Sequence, residues 1–222
     1  PSVPRRSRRD CALPAGSLMT LPLSEDVLTV LSAGGLKLPT PADWTLVVLH
    51  DFDRFLQDHA ANERKASSMA MSMVAHYPDR PELVEAMIDL ALEELNHFRQ
   101  VVRLMTQRNV RLADDEKDPY VNNILRQVRK GTTPYFIDRL LSAAVIEARG
   151  AERFSLLAEA DLPVGVQSFY RTLARSEANH HQLFIRLATR YFPLQTVRDR
   201  LEEWLDIEAS AMIALEIRPR LH

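Results

Sequence analysis

The chain has 222 residues, 46% hydrophobic and 26% charged, which supplies one sizeable core and excludes a disordered or collagen-like chain. A formal charge of −2 excludes a protein that is basic all over, no run of about 18 apolar residues points to a membrane span, and no apolar stretch follows the basic start to suggest a secretory signal, so the cytosol is expected. The single cysteine, Cys11, excludes an internal disulfide, a CxxC redox centre, a zinc ribbon and a cysteine-held iron–sulfur cluster within one chain, leaving histidines and carboxylates as the metal donors.

Residues 1–38 carry Pro1, Pro4, Pro14, Pro22, a Gly34-Gly35 pair and the basic Arg5, Arg6, Arg8 and Arg9, and read as an N-terminal arm and loops with a helical turn or two from Ser24. Residues 39–222 follow a 3.6-residue apolar repeat with no strand-like alternation, so an all-α domain is expected. Thr40-Pro41 opens a first long helix reaching His76, where Tyr77-Pro78-Asp79 breaks it, and a second runs from Pro81 to about Arg108. A polar stretch, 110–119, leads into a short connecting helix from Tyr120 to Lys130, ended by Gly131. Thr133-Pro134 opens a third long helix to about Ala160. After the turn at Asp161-Leu162-Pro163, a fourth reaches Arg190, and a shorter fifth spans Leu194 to Leu215.

Two of these helices share a pattern. Glu94-Leu95-Asn96-His97 and Glu177-Ala178-Asn179-His180 are both Glu-x-x-His, whose ends lie on one helical face. With 15 Glu and 7 His in the chain, chance gives about half of one such motif, so a pair of them carries information. Around Glu94 the same face holds Met87, Leu90, Ala91, Phe98 and Val101; around Glu177 it holds Tyr170, Leu173, Ala174, Phe184 and Leu187. Both motifs therefore turn toward the core, where an uncompensated carboxylate is costly. Glu93, whose own face carries Asp89, Asn96 and Gln100, reads as solvated.

The other two long helices each offer one carboxylate in an apolar stripe: Glu63 beside Leu56, Ala60, Ala66, Ala70 and Met73, and Glu147 beside Leu140, Ala143, Ala144, Ala151 and Phe154. Glu63 precedes Glu94 by 31 residues and Glu147 precedes Glu177 by 30, so the chain repeats the form Glu, hairpin turn, Glu-x-x-His. The gap of 53 residues from Glu94 to Glu147 leaves room for a crossover between the second and third helices. Four carboxylates and two imidazoles in a bundle core form the donor set of ferritin-like di-metal proteins, so a ferritin-like four-helix bundle with extra short helices is expected. Hard oxygen donors with two imidazoles suit two iron ions, or manganese. Glu94 and Glu177 would bridge, His97 and His180 would each bind one ion, and Glu63 and Glu147 would be terminal ligands.

Other readings of these residues stay open. A buried Glu–His pair can be a structural ion pair, and His181 competes with His180 as the ligand. His59, four residues before Glu63, could support that carboxylate or simply pack. Met69, Met71 and Met73 read as core filling. The rival classes are a di-iron oxidase or oxygenase of a small apolar substrate and a metal-free helical interaction protein. Iron storage fits poorly, because ferritins typically lack the second Glu-x-x-His.

The words around the ligands add a resemblance. His59-Ala60-Ala61-Asn62-Glu63-Arg64-Lys65-Ala66, Glu93-Glu94-Leu95-Asn96-His97-Phe98, Glu147-Ala148-Arg149-Gly150-Ala151-Glu152-Arg153-Phe154 and Glu177-Ala178-Asn179-His180-His181 resemble the tRNA 2-methylthio-N6-isopentenyladenosine hydroxylase (MiaE) family over about residues 40 to 190. The resemblance implies an O2-dependent non-haem di-iron monooxygenase, fed by an electron-donating reductase, that hydroxylates the isopentenyl side chain of a modified adenosine next to the tRNA anticodon. For the tRNA contact, Arg103, Arg108, Arg111, Arg126, Arg129 and Lys130 are the candidate basic rim.

Overall fold

The computed structural model describes residues 35–222, so the proline-rich arm up to residue 34, with Arg5 to Arg9, Cys11 and the turn expected from Ser24, lies outside the described residues. Among the described residues there are seven helices and no strand: α1 (Asp43–His50), α2 (Phe52–His76), α3 (Pro81–Gln107), α4 (Pro119–Leu125), α5 (Thr132–Glu159), α6 (Val164–Tyr191) and α7 (Leu194–Ile213). None of them is long and apolar enough to cross a membrane.

The first expected helix is two. Asp51 leaves helical geometry at φ −133° and ψ 62°, and its side chain accepts the Arg54 N–H, so it caps α2 and separates it from α1. A short acid that can satisfy a free helix donor competes well with helix continuation. The connecting helix is shorter than expected, ending at Leu125. Beyond it, the Arg129 backbone N–H and guanidinium both donate to the buried Asp138 of α5, which draws residues 126–131 away from helical bonding. Gly131 then turns the chain into α5 at φ 97°, a conformation reserved in practice for glycine.

Helices α2 with α3 and α5 with α6 form two tightly packed hairpins, which meet each other along α3 and α6. The crossover from α3 to α5 passes through α4, and α7 lies against α5, α4 and α6. This is the ferritin-like four-helix bundle with its crossover between the second and third long helices. The core divides in two. One apolar cluster includes Met73, Met87, Leu140, Leu187 and Trp204; the other includes Trp44, Phe55, Val101, Phe154 and Tyr170. Along every long helix the residues between these clusters are the polar ones singled out above, so the ligand candidates form a belt between two dry cores. On the opposite side from the α3–α6 seam, α2 and α5 stand apart, and the space between them becomes a cavity.

Candidate metal centre

Glu63 from α2, Glu94 and His97 from α3, Glu147 from α5, and Glu177 and His180 from α6 all reach this belt, and none is more than 8% exposed. Their donor atoms fall into two groups, Glu63–Glu94–His97–Glu177 and Glu94–Glu147–Glu177–His180, in each of which the atoms lie within 4.8 Å of one another. Glu94 and Glu177 belong to both. Each divides its oxygens between the two imidazoles: Glu94 Oε2 is 3.4 Å and Glu177 Oε1 3.7 Å from His97 Nδ1, while Glu94 Oε1 is 2.9 Å and Glu177 Oε2 3.4 Å from His180 Nδ1. Glu63 Oε2 completes the His97 side at 3.5 Å.

The quality of these contacts decides what they are for. His97 Nδ1, His180 Nδ1, Glu94 Oε1 and Glu177 Oε1 are fully buried and make no hydrogen bond of acceptable geometry, although their neighbours are close. A structural ion pair would align N–H with oxygen; here the nitrogens and oxygens of each group lie within 4.8 Å of one another without that alignment, and buried polar atoms are rarely left idle. Burial and the Glu177 charge push the Glu147 carboxyl well above the usual range. Burial works against a charged His97, but Glu63 and Glu94 outweigh it and raise the imidazole to about 10. His180 shifts upward in the same way, burial being outweighed by Glu177, Glu93 and Glu94. Protons thus take up charge that two cations would neutralise, and four carboxylates in one dry belt fit a di-metal centre.

A second layer holds these donors in place. His59 Nε2 donates to Glu63 Oε1 at 2.7 Å, and the Tyr170 hydroxyl is 3.4 Å from His59 Nδ1. Burial depresses His59 to about 3, so the ring is neutral and has one proton to give. His180 Nε2 donates to Glu93 Oε2 at 2.9 Å, leaving Nδ1 for the centre. His181 faces elsewhere and donates to the Ala144 carbonyl, which separates its place from that of His180.

Sequence reasoning missed Glu93 and Tyr170. Glu93 is 41% exposed, as its polar face suggested, yet its carboxylate reaches His180 on another helix. The only sequence signal was the Glu93-Glu94 doublet, which does not reveal a cross-helix partner. Of the candidate basic rim, Arg108 is paired with Asp53 and Arg129 with Asp138; the basic residues that line the cavity between α2 and α5 are Lys65, Lys117 and Arg139.

That cavity is about 480 Å³, floored by Ala66, Met69, Val121, Ala143 and Ile146, with Glu147 at its inner end. A smaller chamber of about 50 Å³ lies against Glu63, Glu94, Glu147 and Glu177 and shares Asn62, Ala66, Ile146, Glu147 and His222 with the larger one. The two adjoin across these shared residues, so the large cavity lies beside the chamber that the carboxylates line. Met69, expected as core filling, packs against the apolar core and also lines the large cavity.

A family model described as tRNA-(MS[2]IO[6]A)-hydroxylase (MiaE) matches residues 28–222. The tRNA 2-(methylsulfanyl)-N(6)-isopentenyladenosine(37) hydroxylase of Pseudomonas putida is 40% identical over 156 residues, 70% of this chain and 76% of that protein. Its namesake from Salmonella typhimurium is 33% identical over 165 residues, 74% of this chain and 60% of that protein. Among solved structures, a Synechococcus protein described as having aldehyde deformylating oxygenase activity superposes with a TM-score of 0.80 at 36% identity, covering 84% of this chain and 94% of that one.

Proposed function

The chain belongs to the MiaE family of tRNA hydroxylases, and on that premise we propose that it is an O2-dependent di-iron monooxygenase that hydroxylates the isopentenyl side chain of 2-methylthio-N6-isopentenyladenosine beside the tRNA anticodon, in the cytoplasm. The observation that carries this reading is a surface cavity of about 480 Å³, within the size range of small-molecule sites, adjoining the chamber that the carboxylates of the buried belt line.

In this proposal Glu63, Glu94, His97, Glu147, Glu177 and His180 hold two iron ions, with manganese a fit to the same donors. The bound metal pair supplies oxygen activation, drawing two electrons from a reductase, so that C–H, O2, two electrons and two protons become C–OH and water. Glu94 and Glu177, which stand in both donor groups, would serve both positions. His59 keeps Glu63 turned inward, and Glu93 keeps the Nδ1 face of His180 toward the belt. Ala66, Ile146, Gly150 and Phe154 of the smaller chamber surround a prenyl tail and exclude water from its C–H bonds. The base remains in the wider part of the cavity, where Lys65, Lys117 and Arg139 can meet RNA phosphates.

The likeness to a protein with aldehyde deformylating oxygenase activity, together with the apolar cavity wall, supports one rival: oxidation of a small apolar substrate at the same belt. One experiment separates the two. The protein is produced in cells lacking their own prenyladenosine hydroxylase, and tRNA nucleosides are analysed by mass spectrometry. Hydroxylated prenyladenosine is the expected result. Its absence, combined with turnover of a fatty aldehyde by the purified iron-loaded protein, would replace the tRNA reading with the rival.

A further inference from the structure

His222 lines both the large cavity and the chamber against the carboxylates, so it stands at the neck between them. Its side chain is only 6% exposed, and its ring lies on Tyr120 with centroids 5.0 Å apart and planes 6° from parallel. The backbone leading to it is pinned: Leu221 N donates to Asp58, the Leu221 carbonyl accepts from Arg153, and the Arg220 carbonyl accepts from Trp44. Yet neither ring nitrogen of His222 makes a hydrogen bond. Nδ1 lies 3.5 Å from Asp118 Oδ2, whose other oxygen is occupied in capping α4 through Tyr120 N and Val121 N.

An imidazole held this firmly and left idle at the junction of two cavities is set for a ligand group. Nδ1 faces the Asp118 carboxylate, which can only accept, so Nδ1 is the nitrogen placed to carry the ring proton. In a neutral ring whose Nδ1–H faces a carboxylate, Nε2 offers only a lone pair and can only accept. In an N6-prenylated adenosine, the atom joining base to tail is a secondary amine with one hydrogen. With the base in the large cavity and the tail in the chamber, that N6–H is at the neck. On the reading of the preceding subsection, we propose that His222 Nε2 accepts the N6–H of the substrate and so sets how deep the prenyl tail enters the chamber. Asp118 and Tyr120 act through His222, as positioning residues.

The test uses anticodon stem-loop RNA carrying either the prenylated amine or an analogue in which an ether oxygen replaces N6–H, a change that removes the donor and keeps the shape. The iron-loaded wild-type protein should prefer the amine by at least about tenfold in kcat/KM, the usual cost of leaving one buried hydrogen-bonding group unpaired. His222→Ala should lose most of that preference by slowing the amine and not the ether, and His222→Gln, whose amide oxygen also accepts, should recover part of it. A residue that merely packs would lower both substrates alike. Equal rates on the two substrates in the wild type, or an undiminished preference in His222→Ala, would overturn the proposal. Binding of the prenylated nucleoside, followed by the His222 ring 15N shift, needs no turnover. A shift without hydroxylation would leave this contact standing and remove the activity reading; no binding at all would remove both.

Discussion

The hydrogen bond from His180 to Glu93 carries an orientation across two helices: with Nε2 spent on a surface carboxylate, only Nδ1 faces the belt. Outer partners of this kind typically account for about 10–100-fold in metal affinity. Glu93→Ala should therefore fold normally and bind iron about 10–100-fold more weakly in competition with a chelator; an unchanged affinity would reduce Glu93 to a surface ion pair. The same residue marks the limit of what one sequence reveals. Glu94 and His97, or Glu177 and His180, are legible because a spacing of three places both on one helical face, and apolar neighbours say which way that face turns. Glu93 acts on a residue 87 positions away, and no local spacing encodes that pairing. His222 was illegible for the same reason: its meaning comes from Tyr120, Asp118 and two cavities, all assembled by the fold.

At the scale of elements, the four long helices were readable from apolar period and proline signals, and the departures lie where a side chain offers the backbone a better partner. Asp51 interrupts the first expected helix by capping the second, and Asp138 ends the connecting helix early by claiming the Arg129 N–H. Gly131 joins that crossover to α5 at φ 97° and ψ 144°. A side chain in this region of backbone space costs about 1–3 kcal/mol, while a Cβ there would meet nothing closer than Pro134 Cδ at 3.8 Å. Gly131→Ala should accordingly lower unfolding stability by about 1–3 kcal/mol through backbone strain alone. Urea titration checks this: the midpoint should fall with the slope unchanged, and a midpoint equal to that of the wild type would show that the turn tolerates a side chain.

Across the whole molecule, Asp138 ties three pieces together. It is fully buried, accepts from Arg129 of the crossover and from Arg200 of α7, and belongs to α5. Burial alone would raise its pKa, but the hydrogen bonds from Arg200 and Arg129 outweigh that and bring it down to about 2. A carboxyl whose folded pKa is depressed adds stability above its unfolded value of about 4, and that stability is lost as pH falls toward the folded value. The contribution here is about 2 kcal/mol. Thermal unfolding of the wild type and Asp138→Asn should differ most above about pH 4 and converge as pH approaches about 2. A gap that stays constant over that window would separate Asp138 from the acid sensitivity of the fold.

The two hairpins are each well packed, and their meeting line along α3 and α6 is where Glu94, His97, Glu177 and His180 stand. A metal pair there would work as a clasp on a book, joining two covers that are each stiff on their own. Opening at the spine should then precede unfolding of either cover. After iron-loaded protein is stripped with a chelator, hydrogen–deuterium exchange should quicken first in the middle of α3 and α6, while the outer turns of both hairpins keep their protection. Uniform loss of protection would mean that the centre stabilises the bundle as a whole. Seen this way, each half supplies three of the six candidate ligands, so neither half could close the site alone, and a metal bound in the belt would report that the two halves have found their register.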